Sequence, residues 1–212
     1  MAKKKLYIIG AGDFGREMES WLALLPGFFD EWDIVGYLDQ NSKALDGFPS
    51  DYKIVGNSDE FQFGPDDYAI LCVSGTRAKR FIAGRLKNRV KFFSYIAPNA
   101  IIGKFNKFGE GVIIAPNCIV STNVKIGDFV TVNIGTQLGH DVQIGNFSSL
   151  MANVDLGGHV KIGEDVFIGS NATLIPGISV EDNIRIGAGS IVVRNLKRTG
   201  TYFGNPAKFL SE

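Results

Sequence analysis

The chain has 212 residues, room for one domain and a half or two small ones, and 45% of them are apolar, enough for a sizeable core. Its 22 basic and 22 acidic residues cancel, which removes the electrostatic footprint expected of a partner for nucleic acid or an anionic membrane. No segment approaches the length of a membrane span, so the sequence reads as a soluble, cytoplasmic protein with no nucleic-acid and no membrane partner.

The N-terminal lysines precede an apolar run, Leu6 to Ile9, that is too short for a signal peptide. Lys5 to Ile9 reads instead as a buried strand, and Gly10 to Gly15 as a tight turn. Arg16 to Leu25 has helical spacing and is ended by Pro26 and Gly27. Ile34 to Leu38 is a second strand closing at Asp39, Tyr68 to Val73 a third, and Arg77 to Leu86 a second helix. Val90 to Phe93 reads as a further short strand. Residues 1–93 thus form a small unit of alternating strands and helices with a parallel sheet, and Ser94 to Pro98 a short connection out of it.

A different rhythm follows. From Ile102, every sixth residue through Val192 is apolar, for example Val120, Leu138, Leu156 and Leu174, and Ile96 extends the register backwards. Glycine often follows the anchor, and four residues after it comes a small or aliphatic side chain such as Val124, Val142 or Val160. Six residues make one short strand and one corner, with Gly or Asn where a corner needs positive φ. Three such units close a coil, so residues eighteen apart stack at about the 4.8 Å strand spacing. Residues 94–212 are therefore a β-solenoid without a projecting loop. Its ends need covers: the N-terminal unit at one, and the segment after Val193, with Tyr202, Phe203 and Phe209, at the other.

Two places carry chemistry. The first is Gly10-x-Gly12-x-x-Gly15 with Asp39 at the end of the second strand, a spacing that suits a pyrophosphate at a helix N-terminus and a ribose on the acid. The unit is too small for a full dinucleotide site. A nucleotide-linked ligand, NAD, and a purely structural turn are the three readings of it. The second is His140-Asp141. The chain has two histidines, so a histidine base is His140 or His159. His140 lies at an outward-facing corner, and one coil later the equivalent position is Gly158, whose amide should lie beside the imidazole. A base next to a backbone donor suits acyl transfer; a solvated surface histidine is the alternative. His159 reads as exposed or at a subunit contact. Glu164, Asp165, Glu181 and Asp182 fall at corners and read as solvated surface. Cys72 and Cys118, far apart and inside apolar runs, read as buried free thiols, and no metal-ligand spacing or nucleophile elbow is present.

The combination of Leu6-Tyr7-Ile8-Ile9-Gly10-Ala11-Gly12, the Gly139-His140-Asp141 corner, the repeats and the closing Gly204-Asn205-Pro206-Ala207-Lys208 resembles bacterial sugar O- and N-acyltransferases of the sialic-acid and pilin-glycan type. These belong to the hexapeptide-repeat (left-handed β-helix) acyltransferase superfamily. The resemblance covers essentially the whole chain. It implies an N-terminal Rossmann-like α/β domain that binds a nucleotide sugar, joined to an all-β left-handed parallel β-helix in which acetyl-CoA is co-substrate. It also implies a homotrimer with acetyl-CoA in the groove between solenoids.

Residue by residue, the resemblance implies His140 as catalytic base, Asp141 as the acid beside it and Gly158 as the thioester-facing amide. Ser149, Ser170 and Ala188 would line the CoA groove, and Ala11, Gly12, Asp13, Asp39, Gln40 and Ser74 would touch the nucleotide sugar. The expected activity is N-acetylation of an amino-deoxy sugar. O-acetylation of a hydroxyl, and a non-catalytic nucleotide-binding solenoid, are the rivals. Two departures stand out: Ser149 where a relative has a second histidine, and Phe14 where the family often has one.

Overall fold

A computed structural model describes residues 3–211. The chain opens with strand β1 (Lys4–Ile9), helix α1 (Asp13–Leu22), the short helix α2 (Phe28–Glu31) and strand β2 (Trp32–Leu38). Strands β3 (Ile54–Gly56) and β4 (Asp67–Leu71), helix α3 (Thr76–Leu86) and strand β5 (Lys91–Phe92) complete the α/β unit. Its sheet has the order β3-β2-β1-β4-β5 and is parallel throughout. Both faces are covered, so β1 is continuously apolar from Leu6 to Ile9 rather than alternating. Leu6 and Ile8 belong to the cluster that holds Met18 and Leu22 of α1. Tyr7 and Ile9 belong to the one that holds Ala83 and Leu86 of α3.

Several local expectations shift. Helix α1 begins three residues early, on Gly12 as N-cap, and ends at Leu22. Leu24 and Leu25 then donate turn-type bonds to Trp21 and Leu22, because Pro26 disfavours helical geometry in the residue before it. Helix α2 and strand β3 had no periodicity to announce them; they span 4 and 3 residues.

From Tyr95–Ile96 onward, short strands wind a parallel solenoid with three faces. The first face runs from Tyr95–Ile96 to Ile184–Ile186, the second from Ile101–Ile102 to Ile191–Val192, and the third from Lys107–Phe108 to Ser179–Val180. Partners are eighteen residues apart, as in Gln137↔Asp155 and Leu138↔Leu156. The anchors from Ile114 to Val192 are buried. One residue in every six, from Phe105 to Gly189, has positive φ, so corners need left-handed backbone even where Asp141, His159 or Phe147 stands in place of Gly or Asn.

The α/β unit does not sit over the end of the first coil. It lies along the first face, where the outward side chains of Ile113, Thr131 and Ser149 are buried beneath it, while Ile101 and Phe105 of the first coil stay exposed. Trp21 stacks on Tyr95 at 6.1 Å, and Phe92 meets Phe129 edge-on at 4.7 Å. At the far end, strand Gly200–Phe203 pairs with Ile184–Ile186, and Lys208–Ser211 folds back antiparallel on it. Leu196 and Tyr202 are buried there and Phe209 packs edge-on against Tyr202, but Phe203 is exposed. No described helix is long and apolar enough to cross a membrane.

Candidate functional site

The corner between the second and third faces carries the histidines. Stacking by eighteen builds two columns there, Thr122–His140–Gly158 and Asn123–Asp141–His159. Asp141 Oδ2 lies 2.8 Å from His140 Nδ1, and Oδ1 accepts a hydrogen bond of 2.6 Å from Asn123 Nδ2. These contacts, the imidazole first, hold the Asp141 carboxyl below its ordinary range, so it is ionised near neutrality. It accepts from Nδ1–H and leaves the Nε2 lone pair as the free basic position of the ring.

Nε2 lies against Gly158. A Cβ built on that glycine would sit 2.6 Å from Nε2 and 2.7 Å from Cε1, so only the absent side chain lets the ring rest there. Backbone packing is equally close one step back, where a Cβ on Gly139 would meet Gly158 N at 2.7 Å. His140 and Asp141 side chains remain 55% and 34% exposed, accessible to a ligand yet fixed by their partners. The corner therefore packs the imidazole against the Gly158 backbone in an open location, an arrangement that can deprotonate an incoming nucleophile close to main-chain groups.

His159 was expected to be exposed or at a subunit contact, and was the alternative histidine base. It stacks one coil above Asp141, with Nδ1 3.8 Å from Oδ2 and its ring edge-on to His140 at 4.9 Å. The stacking arithmetic that pairs 140 with 158 also pairs 141 with 159, so the sequence did hold this signal.

A second site opens at the carboxyl ends of β1, β2 and β4, where the sheet order reverses direction and open α/β sheets bind ligands. The cleft there measures about 370 Å³ and is lined by Gly10, Asp39, Gln40, Ser58, Val73 and Ala78, among others. The turn glycines divide the work. Gly10 has φ +94°, a Cβ on Gly15 would strike Gly10 O at 2.0 Å, and Gly12 faces open space, where a ligand can approach the backbone. Ala11 N donates to Asp39 Oδ2 and Asn41 N to Oδ1, each at 2.8 Å, which ties the acid to the turn. Each oxygen keeps a lone pair for a hydroxyl donor.

Among the other expected contacts, Gly12, Asp13, Gln40 and Ser74 are exposed around this cleft and Ala11 is buried, presenting backbone only. Asp13 is paired with Arg16, whose guanidinium lies 3.6 Å over the Phe48 ring. Phe14, which stands where the resembled family often has a histidine, packs edge-on against Trp21.

Ser170 and Ala188 stack on the corner between the first and second faces, across the second face from His140. Ser149 is elsewhere. It is wholly buried on the first face, and its Oγ accepts from Lys79 Nζ at 2.8 Å. As a groove-lining side chain it is corrected: α3 covers it.

Lys79 is the residue that sequence reasoning missed. Only 1% exposed, it reaches from α3 into the solenoid wall, donating also to Thr131 Oγ1 at 3.1 Å and Ser148 O at 3.3 Å. Burial pulls its ammonium down to about 7. Next to it, Arg80 binds Asp165 Oδ2 and Glu164 Oε2, each at 2.7 Å, and lies over Phe147. Glu164 and Asp165 are thus docking residues rather than solvated surface; Glu181 and Asp182 are exposed. Cys72 and Cys118 are buried free thiols, the latter pushed up to about 11 by burial.

With the geometry described, comparison with known proteins locates the chain. Residues 5–85 match the PglD N-terminal domain family, and residues 159–194 match the hexapeptide repeat of succinyl-transferase. No curated protein matches by sequence. The acetyltransferase domain of PglB from Neisseria gonorrhoeae FA1090 superposes with a TM-score of 0.89 at 24% identity, over 98% of this chain and 100% of that one. PerB from Caulobacter crescentus, solved with CoA and GDP-perosamine, gives 0.80 at 22% identity over 99% of both chains. WeeI from Acinetobacter baumannii AYE gives 0.69 at 20% identity, over 97% of this chain and 99% of that one. At these identities the likeness is one of fold, and it extends from end to end. With a match to a PglD N-terminal domain at residues 5–85 and to a hexapeptide repeat at residues 159–194, the chain is similar in fold, from end to end, to two-domain PglD-like hexapeptide-repeat proteins.

Proposed function

We propose that the chain is an acetyl-CoA-dependent N-acetyltransferase acting on the amino group of a nucleotide-linked amino-deoxy sugar. The observation that carries this is the His140–Asp141–Gly158 corner, where Nδ1 meets Asp141 Oδ2 and the Nε2 side of the ring rests against the Gly158 backbone. Asp141 fixes the tautomer, and Nε2 removes the proton as the acceptor amine attacks the thioester carbonyl. The Gly158 amide steadies the tetrahedral oxyanion, and CoA leaves as thiol. No acyl-enzyme is needed.

The acceptor nucleotide lies in the cleft formed by the Gly10–Gly15 turn, Asp39, Gln40 and Ser74. In one chain that cleft flanks α3, which grips the corner between the third and first faces, whereas His140 lies on another edge. A homotrimer joins the two, with acetyl-CoA in the groove between solenoids along Ser170 and Ala188. PglB's acetyltransferase domain, solved with acetyl coenzyme A, and PerB, solved with CoA and GDP-perosamine, support both halves of the proposal.

The test is thiol release from acetyl-CoA against a panel of sugar nucleotides, each in amino and hydroxy form. Amino forms are expected to turn over, and His140→Ala to lower turnover by roughly 10²- to 10⁴-fold without altering assembly. Near-normal turnover in that variant overturns the assignment of the base. Ligand binding without thiol release from any acceptor overturns the activity and favours a sensor.

A further inference from the structure

The corner holds more than acyl transfer requires. His140 Nδ1 and His159 Nδ1 approach the same Asp141 oxygen, at 2.8 and 3.8 Å. One ligand atom from each of the three residues lies within 4.8 Å of the other two. Tetrahedral zinc with bonds of about 2.0–2.1 Å separates its ligand atoms by roughly 3.3 Å, and the two measured separations bracket that value. All three side chains are at least partly exposed, with the two histidines 55% and 65% accessible, so side-chain rotation can bring the three ligand atoms to metal-binding separations. Support from outside it is already in place. Asn123 Nδ2 holds the second Asp141 oxygen, and His159 N donates to His140 O at 2.9 Å, which fixes the two histidines relative to each other.

We propose that His140, Asp141 and His159 form a divalent-metal site that takes Zn²⁺ or Co²⁺ with one coordination position open, and that metal bound there switches the enzyme off. The site itself stands on geometry alone; the switch rests on the proposed role of His140. A metal on Nδ1 takes the lone pair at that atom, and the ring proton moves through solvent to Nε2. Nε2 then faces Gly158 as a donor and has no lone pair for the acceptor amine. Asp141, bound to the metal, no longer holds the opposite tautomer. Of the three ligands only His159 has no part in acyl transfer, so it separates metal binding from catalysis.

Purified full-length protein is titrated with Co²⁺, followed by its visible d–d bands and competed with Zn²⁺, in wild type and His159→Asn. Asn tolerates the left-handed corner at residue 159, where φ is 61°, so the variant keeps the backbone. Wild type is expected to give tetrahedral-intensity bands, and His159→Asn to bind at least ~10-fold more weakly. Zn²⁺ should inhibit wild type reversibly by EDTA and lose that potency against the variant, each measured against its own metal-free rate. Acetylated sugar is quantified by chromatography, because free CoA thiol itself binds zinc.

Equal Co²⁺ affinity in the two proteins, or absence of tetrahedral bands, overturns the site. Equal Zn²⁺ inhibition of both overturns the switch and leaves the acyltransferase assignment standing. His159-dependent Co²⁺ binding in a protein that acetylates nothing confirms the site and overturns the acyltransferase assignment instead.

Discussion

Gly158→Ala tests the central geometry without touching either proposed proton-transfer residue. The new methyl would lie 2.6 Å from His140 Nε2, 2.7 Å from Cε1 and 3.1 Å from Cδ2. Ordinary contact begins near 3.4 Å, so the ring must retreat by roughly 0.8 Å, and an error of about 1 Å at a reacting group can cost 10²-fold. The ring is the free end of an exposed side chain, so moving it costs the fold little. Residue 158 has no left-handed φ, so alanine does not strain the backbone. The expected result is a kcat lower by roughly 30- to 100-fold, about 2–3 kcal/mol in barrier, with a melting temperature near wild type. The Gly158 amide itself is retained, so the loss reports displacement of the imidazole. Steady-state kinetics with saturating acetyl-CoA, alongside thermal unfolding, measure both quantities. A folded Gly158→Ala enzyme with wild-type kcat would refute the argument, because the base would not be where Gly158 lets it lie.

Two further outcomes follow from the other sites. Asp39→Ala should raise KM for the sugar nucleotide by roughly 10- to 100-fold, the loss expected when a charged acceptor of ligand hydroxyls is removed, and leave KM for acetyl-CoA unchanged. Equal KM values for the nucleotide would move the acceptor out of this cleft. Lys79 sets a pH dependence: its pKa falls from 10.5 to about 7 on folding, so between those values the unfolded chain binds more protons and stability rises with pH. Wild type should gain about 2–3 kcal/mol from this group between pH 7 and 9, and Lys79→Met should lose that slope in parallel urea titrations. Parallel slopes in the two proteins would contradict a buried neutral amine.

The residues explain what the sequence could reveal. The apolar anchors repeat every six because each must fill the same prism, so the solenoid was legible from Ile114 to Val192 without coordinates. The neighbourhood of His140 and Gly158 was legible for the same reason, since stacking by eighteen is a property of the repeat. Nothing in that rhythm says which outward positions another part of the chain will cover. Thr131 and Ser149 look like solvent-facing strand residues, and Lys79 like one more charge on an amphipathic helix. Only docking of α3 brings the three together. Glu164 and Asp165 were read as surface for the same cause: a corner carboxylate and its arginine lie 84 and 85 residues apart in sequence. Periodicity reports a residue's local environment, and tertiary docking overrides it.

That docking also sets how the two candidate sites lie relative to each other. Backbone repetition alone would let the α/β unit slide along the first face, because the coils recur at nearly the same spacing. The polar contacts prevent this. Lys79 finds two adjacent hydroxyls at Thr131 and Ser149; one coil before and one coil after, the equivalent positions are Ile113 and Phe167. Arg80 likewise finds a paired Glu164 and Asp165, and the same corner a coil earlier carries Asn146 and Phe147, the latter already stacked under its guanidinium. A slip of one coil would bury the Lys79 amine against an apolar side chain and separate Arg80 from its two carboxylates, at several kcal/mol in all. The buried lysine thus costs stability near neutral pH and fixes register in return, and register sets the height of the cleft beside the Gly10–Gly15 turn along the solenoid relative to the His140 corner.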